Sequence, residues 1–394
     1  MDGYPSRYVN LASARLRFGD RVDRLGRFLF EVDGPADAVV EAIQTMPKGE
    51  GWRAFEEGLR GGSRGSRAIL TAPRAMRDLL DEVSEVPTWV DWQTCDRGGA
   101  MLMRAGALGG AVLGARSLVL GYASPGGNKP LVLSGRLQEQ ALQRLNETAR
   151  FVQAVCRPGG MRPFADGWQI TVKVRVIHAQ VRRMILRSGK WNEGAWGAPV
   201  NQHDMAGTTL LFSVAMIDGL RKLGVQIDPH EAERYIHLWR WVGRVIGVDS
   251  DLLPVSEPDA MRLADLIAAT MGPPDQDSRD LTKALFDAAW TGAATRKQRR
   301  GAARRVLFGT TLCRELIGDE LADALQVPRN TVRYAMPMVR RLVRGVERFT
   351  RAVPFGERGA IAAGSRYWDR VVEIGLQGAT YEFALPSRLG PLAA

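Results

Sequence analysis

Cysteine and histidine are scarce in this 394-residue chain, with three of the first and four of the second. Cys95, Cys156 and Cys313 are odd in number and far apart. They form no CxxC pair, no zinc-ligand spacing and no CxxCH, which argues against a disulfide framework, a zinc module and covalent haem attachment. A reducing compartment is the default for such a chain. No two histidines stand at metalloprotease spacing. No glycine-rich phosphate loop joins a strand to a helix, and no nucleophile elbow is present. Nicotinamide, nucleotide and serine-hydrolase chemistry therefore lack support. Long apolar runs are missing too. The nearest, 98–123, is interrupted by Arg104 and Arg116, with eleven uncharged residues between them. A membrane span needs about 20. The N-terminus shows no apolar signal core and no twin arginine, so a cytoplasmic location is expected.

What the chain does have is apolar material and positive charge. Hydrophobic residues make up 45%, ample for a packed core, and the net charge is +11. Strand-like alternation is rare, while apolar residues recur three and four apart, so the chain reads as mostly helical. Much of the charge is local: residues 296–351 hold fourteen Lys/Arg against five Asp/Glu. Arg296, Lys297, Arg299, Arg300, Arg304 and Arg305 are its densest part. Such a run is either a solvated helix face or a surface for anionic lipid or nucleic acid. No aromatic interleaves with it, which disfavours single-strand recognition.

Three regions are expected: a helical N-terminal extension over 1–84 packed on the core, a main domain over 85–352, and an irregular tail from 353 to 394. Within them, 58–66 reads as a loop, and 98–123 as a tightly packed buried helix rich in small residues. Helices are predicted over 136–156, 170–187, 202–223, 229–247, 257–271, 277–292, 298–325 and 329–352. The stretch 170–176 also alternates like a strand, but over 170–187 the helical stripe holds better. No internal repeat is visible.

One histidine carries the functional reading. In Arg175-Val-Ile-His178-Ala-Gln-Val-Arg182, helical offsets of three and four place all three side chains on one face. Thr171, Val174, Val181 and Ile185 share that face. Cations on an apolar stripe need an anion waiting for them. A haem meets the description: its iron takes an axial nitrogen and its propionates take positive partners. One helix earlier, Arg144 lies beside an apolar stripe with Thr148 one turn on and Glu147 at the edge, a pattern that suggests a lined cavity.

The order Ser134-Gly-Arg-Leu137, Arg144-Leu-Asn-Glu-Thr148 and Arg175-x-x-His178-x-x-x-Arg182 resembles the rubber-oxygenase family. That family includes the latex-clearing proteins and a fungal oxygenase of the mycophenolic-acid pathway. Asn201-Gln-His-Asp-Met-Ala-Gly-Thr208 and Gly247-Val-Asp-Ser-Asp-Leu-Leu-Pro254 extend the resemblance, which covers about residues 85–350. It implies an all-α, multi-helix single domain with a globin-like core around a non-covalent haem b. His178 matches the proximal iron ligand, and Arg175 and Arg182 match arginines that hold propionates or buttress the ligand helix. Arg144 and Thr148 match distal-side residues. The implied reaction uses dioxygen to cleave a carbon–carbon double bond of a hydrophobic unsaturated substrate, a small molecule or a polyisoprenoid. Two departures stand out. Glu147 occupies the place of a distal lysine, and the loop 124–130 holds no acidic residue for the family's base, a role Glu147 could take over.

Alternatives stay open. His178 could be an ordinary core histidine. His203 is the second choice for an axial or distal role, while His230 and His237 read as surface or packing residues. Arg144 could simply pair with Glu147 or another carboxylate, and Thr148 could bond its own backbone. Trp191, Trp196, Trp239 and Trp241 either line a substrate channel or pack. At the level of the whole protein, the alternatives are a non-enzymatic haem sensor or carrier, and a basic helical protein that binds nucleic acid or membrane without haem. An enzyme held peripherally on anionic membrane is compatible with the first reading. Oligomeric state is not readable.

Overall fold

Two glycines set the centre of the molecule. In the computed structural model, a Cβ added to Gly98 would lie 2.3 Å from the Arg234 carbonyl oxygen, and one added to Gly99 would lie 2.3 Å from that of Cys156. Their helix is therefore gripped on both sides at backbone distance, as the small-residue composition of 98–123 anticipates. The structure describes residues 3–63, 65, 67–133 and 141–376. Among them the fold is all-α, with no strand and one isolated bridge, Tyr8 to Met271. The motif Ser134 to Leu137 lies outside the described residues.

The principal helices, in chain order, are α1 (Gly34–Thr45), α2 (Arg74–Ser84), α3 (Trp92–Ala105), α4 (Ala141–Cys156), α5 (Asp166–Arg187), α6 (Gln202–Phe212), α7 (Val214–Lys222), α8 (Pro229–Val245), α9 (Glu257–Thr270), α10 (Arg296–Ile317), α11 (Met336–Ala352) and α12 (Gly356–Leu376). Their starts are chemically marked. Asp33, Asp91 and Asn201 cap α1, α3 and α6 with their side chains. Capping boxes open α8 (Asp228 with Glu231) and α10 (Thr295 with Gln298). These side chains satisfy N–H groups that the first helical turn leaves unpaired.

Helix α3 packs against α8, α12 and α4, and α5 packs against α4, α1 and α8. One large apolar cluster runs through these contacts, with Trp168, Trp239, Trp241 and Trp368 among its fully buried side chains. A smaller cluster joins the first helices to α6 and α9 through Leu25, Leu29, Met205 and Leu266.

Several expectations need correction. The stretch 98–123 is not one helix. It breaks at Gly106 (φ 49°), and the segments 92–105 and 107–122 are bent by 86°. Arg104 and Arg116 are anchors there: Arg104 is buried against Glu231 (2.9 Å) and Glu347, and Arg116 meets Asp218. No single helix among the described residues is long and apolar enough to cross a membrane, although that bent pair passes by length and composition. The 202–223 helix is split at Ser213 (ψ −94°). The end of the helix Glu50–Gly61 occupies part of the expected loop 58–66. Most consequentially, 356–376 is helical, not irregular: α12 packs on α3, α4 and α11 and buries Trp368. Gly364 is what lets it approach α3, since a Cβ there would overlap the Met103 carbonyl.

These crossings yield a first prediction. Gly99→Ala forces α3 away from α4 at a backbone contact that no rotamer change relieves. A loss of about 1–3 kcal/mol of stability is expected from such overpacking. Urea unfolding of the variant beside Gly114→Ala, where an added Cβ meets nothing within 4 Å, checks it.

Candidate active site

Helices α4 and α5 form a hairpin joined by residues 157–165. Its register is fixed by Gly167, where an added Cβ would lie 2.7 Å from the Ala154 oxygen. Counting ten residues outward from each partner reaches Arg144 on α4 and Ile177 on α5, next to His178. At a rise of 1.5 Å per residue, both lie about 15 Å from that crossing. Measured along the hairpin, Arg144 and His178 therefore lie at similar distances from that crossing.

His178 is half-buried. Its Nδ1 is enclosed and has no hydrogen-bond partner. Desolvation, then the charge of Arg182, pushes its pKa down to about 4 against the opposing pull of Asp33. At neutral pH the imidazole is uncharged and keeps a lone pair, which suits a metal ligand.

The flanking arginines find anions within the chain itself. Arg175 Nε and Nη2 donate to Asp33 at 2.6 and 2.9 Å, and Nη1 donates to Glu82 at 3.0 Å. Arg182 Nε donates to both oxygens of Asp37 at 3.0 Å, and Nη1 to the Val200 carbonyl at 2.8 Å. Buttressing is therefore their visible role. The propionate alternative keeps one atom: Arg182 Nη2 is buried with no partner.

On α4, Thr148 Oγ1 donates to the Arg144 carbonyl at 2.8 Å, the backbone-bonded alternative. Glu147 accepts from Gln143 at 2.9 Å. Arg144 makes no ion pair among the described residues, and its charge acts on the nearby Tyr122 hydroxyl, whose pKa burial raises.

His203 lies elsewhere. It lines a mostly apolar cavity of about 350 Å³ together with Leu120, Leu211, Val214 and Ile267. Its Nδ1 is 3.3 Å from Asp204, which Arg7 holds at 2.8 and 2.9 Å, while Nε2 is buried without a partner. His178 does not line this cavity. His237 accepts from the Asp91 backbone N–H at 3.2 Å and packs edge-on against Trp89, and His230 is exposed. Trp239 stacks on Phe212, Trp241 donates to the Met161 carbonyl, and Trp191 meets Trp196 edge-on, so these contacts are packing. Among the described residues, no three His, Cys, Asp or Glu side chains gather as a metal site.

A family model described as "ER-bound oxygenase mpaB/B'/Rubber oxygenase, catalytic domain" matches residues 92–348. The chain belongs to this oxygenase family. A rubber oxygenase from Streptomyces sp. (strain K30) is 24% identical over 235 residues, which cover 57% of this chain and 55% of that protein. The match thus spans about half the length of that relative. A solved structure of latex clearing protein in the closed state superposes with a TM-score of 0.69, covering 88% of this chain and 91% of that one, at 18% identity. That likeness shows a shared all-α fold.

Family membership sharpens what two of the motifs do here. Gln202 Nε2 donates to the Gly247 carbonyl at 3.0 Å, and its Oε1 accepts from the Asp249 N–H at 2.9 Å. The two motifs clasp each other. Gly247 (φ 89°) also abuts the buried ion pair, because an added Cβ would lie 2.3 Å from Asp33 Oδ2 and 2.5 Å from Arg175 Nε. Asp33, Asp37 and Glu82 all lie upstream of residue 92, outside the segment the family model matches. Sequence reasoning missed them. An i, i+4 pair of aspartates at the start of a helix is a signal, but it points equally to capping.

Proposed function

We propose that this chain is a haem-b-dependent oxygenase, using dioxygen to cleave a carbon–carbon double bond of a hydrophobic unsaturated substrate, a small isoprenoid or a polyisoprenoid. The observation that carries this reading is the half-buried, neutral His178 imidazole with an enclosed, unpartnered Nδ1, in an oxygenase-family chain. Nδ1 is an orphaned buried nitrogen, and such groups call for an explanation. A haem needs only one such base, because the macrocycle supplies the other four nitrogens. The residues present fit that group. When bound, it would supply iron able to activate dioxygen.

The chain's own residues have separable tasks. His178 would hold the haem iron, and the Asp33–Arg175 and Asp37–Arg182 pairs hold its helix in place. Arg182 Nη2 offers a donor for an anion. Arg144 brings an unneutralised guanidinium to the level of His178, where it stabilises negative charge developing in the reaction. Thr148 keeps oxygen lone pairs after donating to its own helix. Glu147 holds a carboxylate that can take a proton from an allylic carbon.

The absorption spectrum of the purified protein, with His178→Ala beside it, tests this. A Soret band is expected in the parent and should be lost or displaced in the variant. Incubation with unsaturated lipids under oxygen should then give carbonyl products. A Soret band without carbonyl products would favour the non-enzymatic sensor or carrier. No Soret band, even after haem is added, would refute both.

A further inference from the structure

Helix α11 presents an apolar stripe that nothing in the described structure covers. Its inner face sets Val339 and Val343 against the core and Glu347 against Arg104. Its outer face carries Met338, Leu342, Val346 and Phe349, at 69%, 67%, 56% and 68% exposure. At 100° per residue these four fall within an arc of about 80°. Tyr334 just before the helix and Phe355 just after it are exposed as well. Contiguous exposed apolar surface of this kind marks an interaction site.

The neighbouring arc says what kind. Arg341 and Arg348 flank one edge of the stripe, about 60° and 80° round the helix from Met338, exposed and without a carboxylate partner among the described residues. Other arginines on the helix are neutralised: Arg340 by Glu315 at 2.6 Å and Arg351 by Glu231 at 2.5 Å. Arg344 is exposed as well but lies further round, toward Gly224, so the free cations nearest the apolar stripe are Arg341 and Arg348. Arg358 lies over the Phe355 ring at 5.6 Å, extending the same pairing of cation and apolar surface.

We propose that α11 is an interfacial helix that seats the protein on an anionic bilayer, with Met338, Leu342, Val346 and Phe349 in the acyl boundary and Arg341 and Arg348 on lipid phosphates. The stripe and cation band side by side are the layout of a helix lying in the membrane plane. A second copy of the chain is a poorer occupant, since a two-fold pairing brings the same flanking arginines together. A nucleic acid would use the cations but leave the apolar stripe in water. The inference stands independently of the haem reading.

Co-sedimentation of the full chain with phosphatidylserine–phosphatidylcholine vesicles, against phosphatidylcholine alone, tests it. Binding to the anionic vesicles is expected to weaken as salt rises. Replacing the arginine pair, Arg341→Gln with Arg348→Gln, should weaken binding about 25-fold, at roughly fivefold per arginine. Leu342→Glu with Phe349→Glu should abolish binding while leaving the circular dichroism spectrum and Tm unchanged, because both side chains are exposed. Absence of binding to anionic vesicles overturns the proposal, as does undiminished binding by the folded double variant. A solution dimer dispersed by the double variant would assign the stripe to a second copy. Duplex DNA binding that needs the arginines but not the apolar residues, with no vesicle binding, would assign the cations to nucleic acid. Either result overturns it.

Discussion

Asp33→Asn is expected to lower the unfolding free energy by about 3–5 kcal/mol, the range for breaking one side of a buried ion pair. Arg175 and Asp33 are both only 3% exposed at the side chain. Burial by itself would push the Arg175 pKa down, but the hydrogen bonds and charge of Asp33, then of Glu82, hold it above the ordinary value. Removing the Asp33 charge leaves a guanidinium in low-dielectric surroundings with only Glu82, itself 42% exposed, to balance it. The cap of α1 is kept, because the amide oxygen of Asn can still accept from the Ala36 N–H that Asp33 Oδ1 now caps at 3.3 Å, so the loss reports the ion pair. The double variant Asp33→Asn, Arg175→Met should recover part of the loss, since it no longer buries an unpaired charge. Urea unfolding of both single variants and the double variant gives the coupling energy. If Asp33→Asn costs less than about 1 kcal/mol, as surface pairs do, the pair is not what holds the His178 helix.

The all-α class, the helix bearing His178 and the family motifs were legible because each is a local pattern. A 3.6-residue stripe, a capping residue and a short motif are all contained in a few turns of chain. The ion partners of Arg175 and Arg182 were not legible, because they come from 142 and 145 positions away. The anion waiting for the two buried cations was correctly demanded by electrostatics, but carboxylates from α1 and α2 meet that demand before any cofactor does. Helix α12 was missed for a different reason. Its glycines, Gly356, Gly359, Gly364 and Gly375, read in sequence as irregular chain, whereas Gly364 is what lets the helix cross α3 and bury Trp368. The break at Gly106 was hidden because Ala, Leu and Gly run on through it, and only a positive φ distinguishes the turn from the helix. His203 stands out through its motif, yet its link to Arg7 through Asp204 spans nearly 200 residues and could not be read.

His178→Leu is expected to stabilise the cofactor-free protein, and the sign of that effect is its main interest. An enclosed nitrogen without a partner costs about 1–3 kcal/mol relative to a satisfied one. Leucine removes the nitrogen and fills similar space, so at pH 7 the variant should gain stability of that order. The gain should widen in acid. The folded pKa of His178 is about 4, whereas an unfolded histidine titrates near about 6.5. Between those values the unfolded chain binds the proton and the folded chain does not, so parent stability falls as pH drops through this window. The loss is at most about 3.5 kcal/mol, from roughly 1.4 kcal/mol for each pH unit that separates the two values. His203 and His237, whose pKa values burial also lowers, act in the same direction in both proteins and cancel in the comparison. Urea unfolding of parent and variant at pH 7 and pH 4.5 therefore isolates the His178 contribution. Haem should reverse the order at neutral pH, because a ligand bound only by the folded parent stabilises it by mass action. A variant less stable than the cofactor-free parent at both pH values would show that His178 is a satisfied core residue, and the proposed axial role would fall with it.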